Sequence, residues 1–138
     1  MPKPKTLRDK MEDRIARKRG EDVFLTREFA DLGGETQVLR TLSGLVRDGQ
    51  LARLGYGVYV RAVPSLLSGK PMLYCPDGFL GASRQALTKL GVKWDITEAE
   101  KAYNERRSTQ IPVNPAVRVK SRFSRKLSYG GTELRIDR

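Results

Sequence analysis

Between Thr36 and Tyr59 the apolar residues change their spacing across a single glycine, from about 3.6 residues to about 2. Val38, Leu39, Leu42, Leu45 and Val46 recur at helical intervals, which predicts a helix from about Thr36 to Asp48 with one buried stripe. Gly49 stands where a left-handed C-terminal cap belongs. Leu51–Leu54 and Val58–Arg61 then read as two short extended runs joined by Gly55-Tyr56-Gly57, a hairpin. A one-sided helix followed at once by a hairpin needs a covering layer, and the residues before it offer one. Thr6 reads as an N-cap with Asp9 in the capping-box position. Leu7, Met11 and Ile15 make a helical stripe running to about Arg19, closed by Gly20. Val23-Phe24-Leu25 is long enough for a strand or an extended lead-in. Thr26 is a second N-cap candidate, opening a short helix Arg27–Leu32 that is expected to bury Phe29, Ala30 and Leu32 before the Gly33-Gly34 turn.

Helix, short helix, glycine turn, longer helix and hairpin is the order of a winged helix-turn-helix. The segments Val23–Ala30, Val38–Leu42, Leu45–Leu51 and Leu54–Val60 carry a family resemblance, most specifically in the G-x-L-x-R-L-x-x-G-V-Y string across Gly49–Tyr59. Residues 10–61 resemble the N-terminal winged-helix domain of the AbiEi-type antitoxins of bacterial abortive-infection systems and their short plasmid and phage relatives. The likeness extends more thinly to Thr97-Glu98-Ala99, Ala102, Asn104 and Ser108–Pro112, while Tyr103 to Arg107 departs from the small, apolar pattern. The resemblance implies a DNA-binding regulator encoded beside a nucleotidyltransferase-like toxin.

Residues 62–138 are less patterned. Val63–Pro71 is a turn-rich connection and the best internal boundary. Helices are expected at about Phe79–Leu90 and, from a Thr97-x-x-Glu100 capping box, at Thr97–Arg107. Two prolines punctuate Gln110–Pro115. Val117 and Val119 alternate with Arg118 and Lys120 as in a half-exposed strand. Gly130-Gly131 separates Arg125–Tyr129 from Thr132–Ile136, which suggests a terminal hairpin. The expected fold class is therefore α+β: a winged helix-turn-helix over 1–61, then a small mixed α/β region over 62–138 ending in a basic β-hairpin.

The charge gives the functional direction. Lys+Arg number 27 against 16 Asp+Glu, a net +11, and the excess sits toward the two ends. Such a balance points to a polyanion, most often nucleic acid, against the plainer alternative of a basic soluble surface. In a winged helix the third helix enters the major groove. With Val38, Leu42 and Leu45 turned inward, Thr36, Gln37, Arg40, Thr41 and Arg47 are the expected base-reading positions, since Arg reads guanine and Gln reads adenine by paired hydrogen bonds. Thr26, Arg53, Tyr56 and Arg61 are expected at the DNA backbone or the wing. Lys5, Arg8, Arg14 and Arg17–Arg19 either add to the field or solvate the first helix. A secondary basic surface is expected from Arg118, Lys120, Arg122, Arg125 and Lys126, either a nucleic-acid surface or a protected sheet edge.

Catalysis is not expected. The chain has no histidine, which excludes Ser-His-Asp and Cys-His systems. No lysine has Asp or Glu two residues before it, so Pro76-Asp77 does not begin a metal-dependent nuclease triad. The lone Cys75 lacks an evident base and fits a reducing compartment. No metal and no cofactor is expected, and no membrane segment. The expected protein is a cytoplasmic, sequence-specific double-stranded DNA-binding regulator, antitoxin-like and repressing its own operon. A cognate toxin and a homodimer are left open as partners. The alternatives are a protein-binding module that neutralises a toxin or docks a phage or host partner, and an RNA-binding accessory.

Overall fold

A computed structural model describes residues 4–64, 67, 71–75, 77–109, 114–123 and 125–137. Most of the turn-rich connection (65, 66 and 68–70), most of the proline-punctuated stretch (110–113) and the first three residues of the N-terminal arm lie outside the described residues.

Helix α1 (Leu7–Arg17) opens on a complete capping box, with the Thr6 hydroxyl accepting the Asp9 N–H at 3.1 Å and the Asp9 carboxylate accepting the Thr6 N–H at 3.1 Å. It stops two residues before the expected Arg19. The Arg61 guanidinium donates to the Ile15 and Lys18 carbonyls, which a further helical turn would have used itself. Strand β1 (Val23–Leu25) follows. The expected short helix Arg27–Leu32 is instead a single 3-10 turn, Thr26–Phe29. The Glu28 carboxylate folds back to accept the Leu25 N–H at 2.6 Å, the capping-box bond at the start of this turn. Thr26 is consequently no cap, and Ala30 is exposed while Phe29 is buried and Leu32 half-buried.

Helix α2 (Glu35–Arg47) ends with Asp48 as C-cap and Gly49 at φ +80°, the left-handed turn that glycine permits without strain. Strands β2 (Leu51–Gly55) and β3 (Val58–Pro64) form the hairpin across Tyr56-Gly57. The antiparallel order is β1-β3-β2, and β4 (Pro71–Leu73) pairs with the far end of β3.

This sheet is buried on both faces. Phe24, Leu51 and Tyr59 turn toward the helices and pack with Met11, Phe29, Val38, Leu42 and Leu45. Val23, Leu25, Ala52, Leu54, Val58, Val60 and Ala62 turn the other way. They meet Ala82, Ala86 and Leu87 of α3 (Gly78–Lys89), together with Val117, Val119, Phe123, Leu127 and Leu134. Burial of both faces is why Val23-Phe24-Leu25 and Val58-Tyr59-Val60 read as unbroken apolar runs. Strand β3 passes the expected division at 61/62 without a break, and residues from both sides fill one core.

The remainder comprises β5 (Trp94–Asp95), α4 (Glu98–Asn104), β6 (Ala116–Val119), β7 (Ser128–Tyr129), β8 (Thr132–Glu133) and β9 (Arg135–Asp137). The Thr97 hydroxyl caps α4, but Glu100 turns from the capping box to an ion pair with Arg84 at 2.6 Å. Val117 and Val119 are buried and Arg118 exposed, as the alternation requires. The terminal hairpin is present with arms of only two residues, because the chain leaves after Glu133 to pair β9 with β6 in parallel. The class is α+β. No helix among the described residues is long and apolar enough to cross a membrane.

An ionic brace ties α1, the 3-10 turn and α3 together. The Glu28 carboxylate accepts Lys18 Nζ at 2.5 Å and Lys89 Nζ at 2.9 Å, and Lys89 also meets Glu21 at 2.9 Å. Burial pushes the Glu28 carboxyl up, but Lys18, the Leu25 N–H and Lys89 outweigh it and hold its pKa below the ordinary value. A carboxyl lowered on folding adds stability that is complete above its unfolded pKa, about 4.3, and is lost as pH falls through the lower folded value. Glu28→Gln is therefore expected to cost about 2 kcal/mol at neutral pH. Melting curves between about pH 7 and pH 3 should show the variant losing less stability with acid than the wild type.

Candidate nucleic-acid interface

The buried stripe of α2, Val38, Leu42 and Leu45, is fixed against β1–β3, which leaves the opposite side of the helix to solvent. Thr36, Gln37, Arg40 and Arg47 are exposed there. Among the described residues neither Arg40 nor Arg47 has an ion-pair partner. Thr41 is half-buried, and its hydroxyl donates to the Gln37 carbonyl at 2.8 Å, so its donor is already engaged. Mid-helix Gly44 leaves an open notch, where an added Cβ would come within 3.8 Å of Arg47 Nη2 and 3.9 Å of Arg8 Nη1.

The hairpin turn stands beside this face. Tyr56 at its tip is 74% exposed. Gly57 takes φ +70°, which makes the tight turn possible. Arg53 is exposed on β2, with Nε donating to the Gly55 carbonyl at 3.2 Å. Thr26 lies beneath the turn, its hydroxyl buried with no hydrogen-bond partner among the described residues and 3.5 Å from where a Gly57 Cβ would sit.

Arg61 does not belong to this set. Its guanidinium is folded inward over the Phe24 ring at 5.0 Å, donating to the Glu21 carbonyl at 3.0 Å, Ile15 at 2.5 Å and Lys18 at 2.7 Å. With Asp22 3.8 Å away, it is a structural tie between β3 and the end of α1. Four of the six cations expected on or beside α1 to add to the field are also spent internally. Lys5 pairs with Asp13 at 2.6 Å, Arg8 with Glu12 and Asp48, Arg14 with Asp31, and Lys18 with Glu28. The Arg14 fork is tight enough to bring Asp31 down to about 2. Of the α1 cations expected to add to the field, only Arg17 and Arg19 lack a carboxylate partner among the described residues.

The C-terminal basic residues do not form one surface. Arg118 and Lys120 lie with Lys93, Trp94 and Asp95 around a cleft of about 520 Å³ on the β5–β6 side. Lys126 reaches toward Glu133 at 3.8 Å, and Arg122 is exposed between the two regions. Arg125 goes elsewhere. It joins Thr26, Arg27, Arg53, Tyr56 and Gly57 around a cleft of about 360 Å³ between α2 and the hairpin, lined also by Leu25, Leu39, Tyr59 and Leu90. Arg27 was missed by sequence reasoning because it was placed inside a helix that does not form. Arg125 was assigned to other neighbours because the approach of Lys126 and Leu127 to Gly55 on β2 is a long-range contact with no local pattern.

Among the described residues, no three acidic or cysteine side chains lie together where a metal ion would fit. Cys75 is half-buried, and burial pushes its thiol up, away from the reactive thiolate. In comparison with known proteins, no family model and no curated protein matches the chain.

Proposed function

We propose that the protein binds double-stranded DNA as a winged helix-turn-helix, with α2 in the major groove and the β2–β3 hairpin as the wing. It acts as an antitoxin-like transcriptional regulator in the cytoplasm, repressing its own operon and catalysing no reaction. One observation carries the reading. The solvent side of α2 presents Thr36, Gln37, Arg40 and Arg47 exposed, neither arginine having a carboxylate partner among the described residues, while Glu35, Leu39 and Ser43 of the same helix line a cleft with the exposed Tyr56 turn. The donors of these two arginines face solvent and are available to a ligand. Base edges and phosphates are acceptors of the right kind. The order α1, β1, α2 and hairpin supports it, with the short helix of the pattern reduced to the Thr26–Phe29 turn, as does the resemblance across residues 10–61.

The test is binding of the purified protein to the duplex upstream of its own gene, against random duplex, across a salt series. Specific binding is expected to exceed random binding by about 10³-fold or more. Arg40→Ala is expected to cost about 1–3 kcal/mol and to relax preference at one base pair. Equal losses on specific and random DNA would remove its base-reading role.

A second reading, a protein-binding module that neutralises a toxin, is favoured by one feature. Val63, Met72 and Tyr74 are exposed together along the β3–β4 end of the sheet, where an apolar strip is costly without a partner. Neutralisation of a neighbouring toxin that survives loss of Arg40 and Arg47 would support it.

A further inference from the structure

We propose that the cleft between α2 and the Tyr56-Gly57 turn seats one sugar-phosphate unit of the bound strand, and that Arg125, brought there by the C-terminal half, is one of three guanidiniums holding its phosphate. The inference rests on the DNA-binding reading above and assigns to that interface two residues, Arg27 and Arg125, that the winged-helix pattern does not include.

Three cationic side chains from distant parts of the chain line this one cleft. Arg27 comes from the 3-10 turn, Arg53 from β2, and Arg125 from the segment that crosses β2. Glu35 is the one carboxylate lining the cleft among the described residues. Some arginines elsewhere meet carboxylates, Arg8 with Glu12 and Asp48, Arg14 with Asp31, Arg84 with Glu100, Arg107 with Glu98 and Glu105. Three guanidiniums gathered around a single carboxylate oppose folding unless a further anion offsets them.

Two of the three are already aimed. Arg27 Nη2 donates to the Lys89 carbonyl at the end of α3, and Arg53 Nε to the Gly55 carbonyl. Each guanidinium has five N–H donors, so one internal bond fixes its direction and leaves the rest for a ligand. Arg125 makes no hydrogen bond or ion pair among the described residues. The Thr26 hydroxyl, without a hydrogen-bond partner among the described residues, lies in the same lining. The apolar part of that lining is Leu25, Leu39, Tyr59 and Leu90. Apolar side chains beside three guanidiniums match a deoxyribose carrying its phosphate, and a cleft of about 360 Å³ is of the size that takes one such unit.

Two residues beyond Arg125, Leu127 is buried, and the Lys126 carbonyl passes so close to Gly55 that no side chain fits there. Arg125 is thus presented from a packed base, although it lies far along the chain from the hairpin.

Fluorescence anisotropy with labelled duplex, for wild type, R40A and R125Q, tests the proposal. R125Q, an exposed substitution, is expected to melt with the wild type. It should weaken upstream and random duplexes alike, by about fivefold at moderate salt, and lower the salt slope by about one. Scanning single methylphosphonates along the duplex adds a direct readout. At one position the neutral phosphate should weaken the wild type, and R125Q should lose nothing further on that duplex. If R40A weakens binding while R125Q binds as wild type at every salt, the phosphate seat is wrong and the DNA-binding reading stands. If the wild type ignores duplex DNA, both fall. Stabilisation of the wild type, but not R125Q, by a deoxynucleoside monophosphate alone would make the cleft a free-nucleotide site and overturn the proposal.

Discussion

Arg61→Ala is expected to melt about 12 °C below the wild type. The side chain donates to three backbone carbonyls, those of Glu21, Ile15 and Lys18, and lies over the Phe24 ring. A hydrogen bond from a charged donor contributes about 1.5–3 kcal/mol, and carbonyls left without a donor in a half-buried site cost more than those facing water. With partial replacement by water, the loss is about 4 kcal/mol. For a chain of this size that corresponds to roughly 3 °C per kcal/mol. Arg61→Lys keeps the charge but not the fork that reaches several carbonyls at once, and should recover less than half. Hydrogen exchange locates the effect, with amide protection lost first in α1. An Arg61→Ala protein that melts normally and only binds DNA less tightly would return Arg61 to the wing.

Gly55→Ala is expected to be nearly as damaging for a different reason. A Cβ at residue 55 would overlap the Lys126 carbonyl oxygen and stand 3.1 Å from Leu127 Cδ2. The first obstacle is backbone, so it cannot rotate away as a side chain can. Either β2 or the chain at Lys126 and Leu127 must shift, and overpacking of this kind costs up to about 3 kcal/mol. Because Leu127 and Phe123 are seated by the same crossing, the segment should lift as a unit. Trypsin is then expected to cut after Arg125 and Lys126 in the variant under conditions that spare the wild type. Equal cleavage and equal melting would show that the crossing is not fixed by Gly55.

The parts of this fold that sequence reasoning reached are those set by neighbours in the chain. The capping box at Thr6 and Asp9, the stripe of α2, the glycine cap at Gly49 and the Tyr56-Gly57 turn are local devices, and each is formed. The exposed set Thr36, Gln37, Arg40 and Arg47 follows from the helix period alone. The errors are of another kind. Arg27–Leu32 has helical composition, yet Glu28 bonds Leu25 and the lysines of two other elements, so the turn is tightened by tertiary contacts. Arg61 follows a strand and a turn as a wing cation would. What draws it inward is the set of carbonyls at the end of α1, more than forty residues earlier. The parallel pairing of β6 with β9 and the arrival of Arg125 at the hairpin are likewise contacts between remote segments, and neither leaves a periodic trace.

Strand β3 makes this protein hard to shorten. Its residues Val58, Val60 and Ala62, with Val23 and Leu25 beside them, rest on α3 and the C-terminal segments, while Tyr59 on the same strand rests against the helices of the other layer. A fragment ended at residue 61 would keep α1, β1, α2 and the β2–β3 hairpin and still expose a bare aliphatic sheet to water. Such a face is adhesive, and the fragment should associate or precipitate where the full chain does not. Exchanging the second half for that of a related protein meets the same demand, since the incoming half must bring a matching aliphatic surface. The two halves are therefore bound to change together, residue against residue, across a sheet that neither can cover alone.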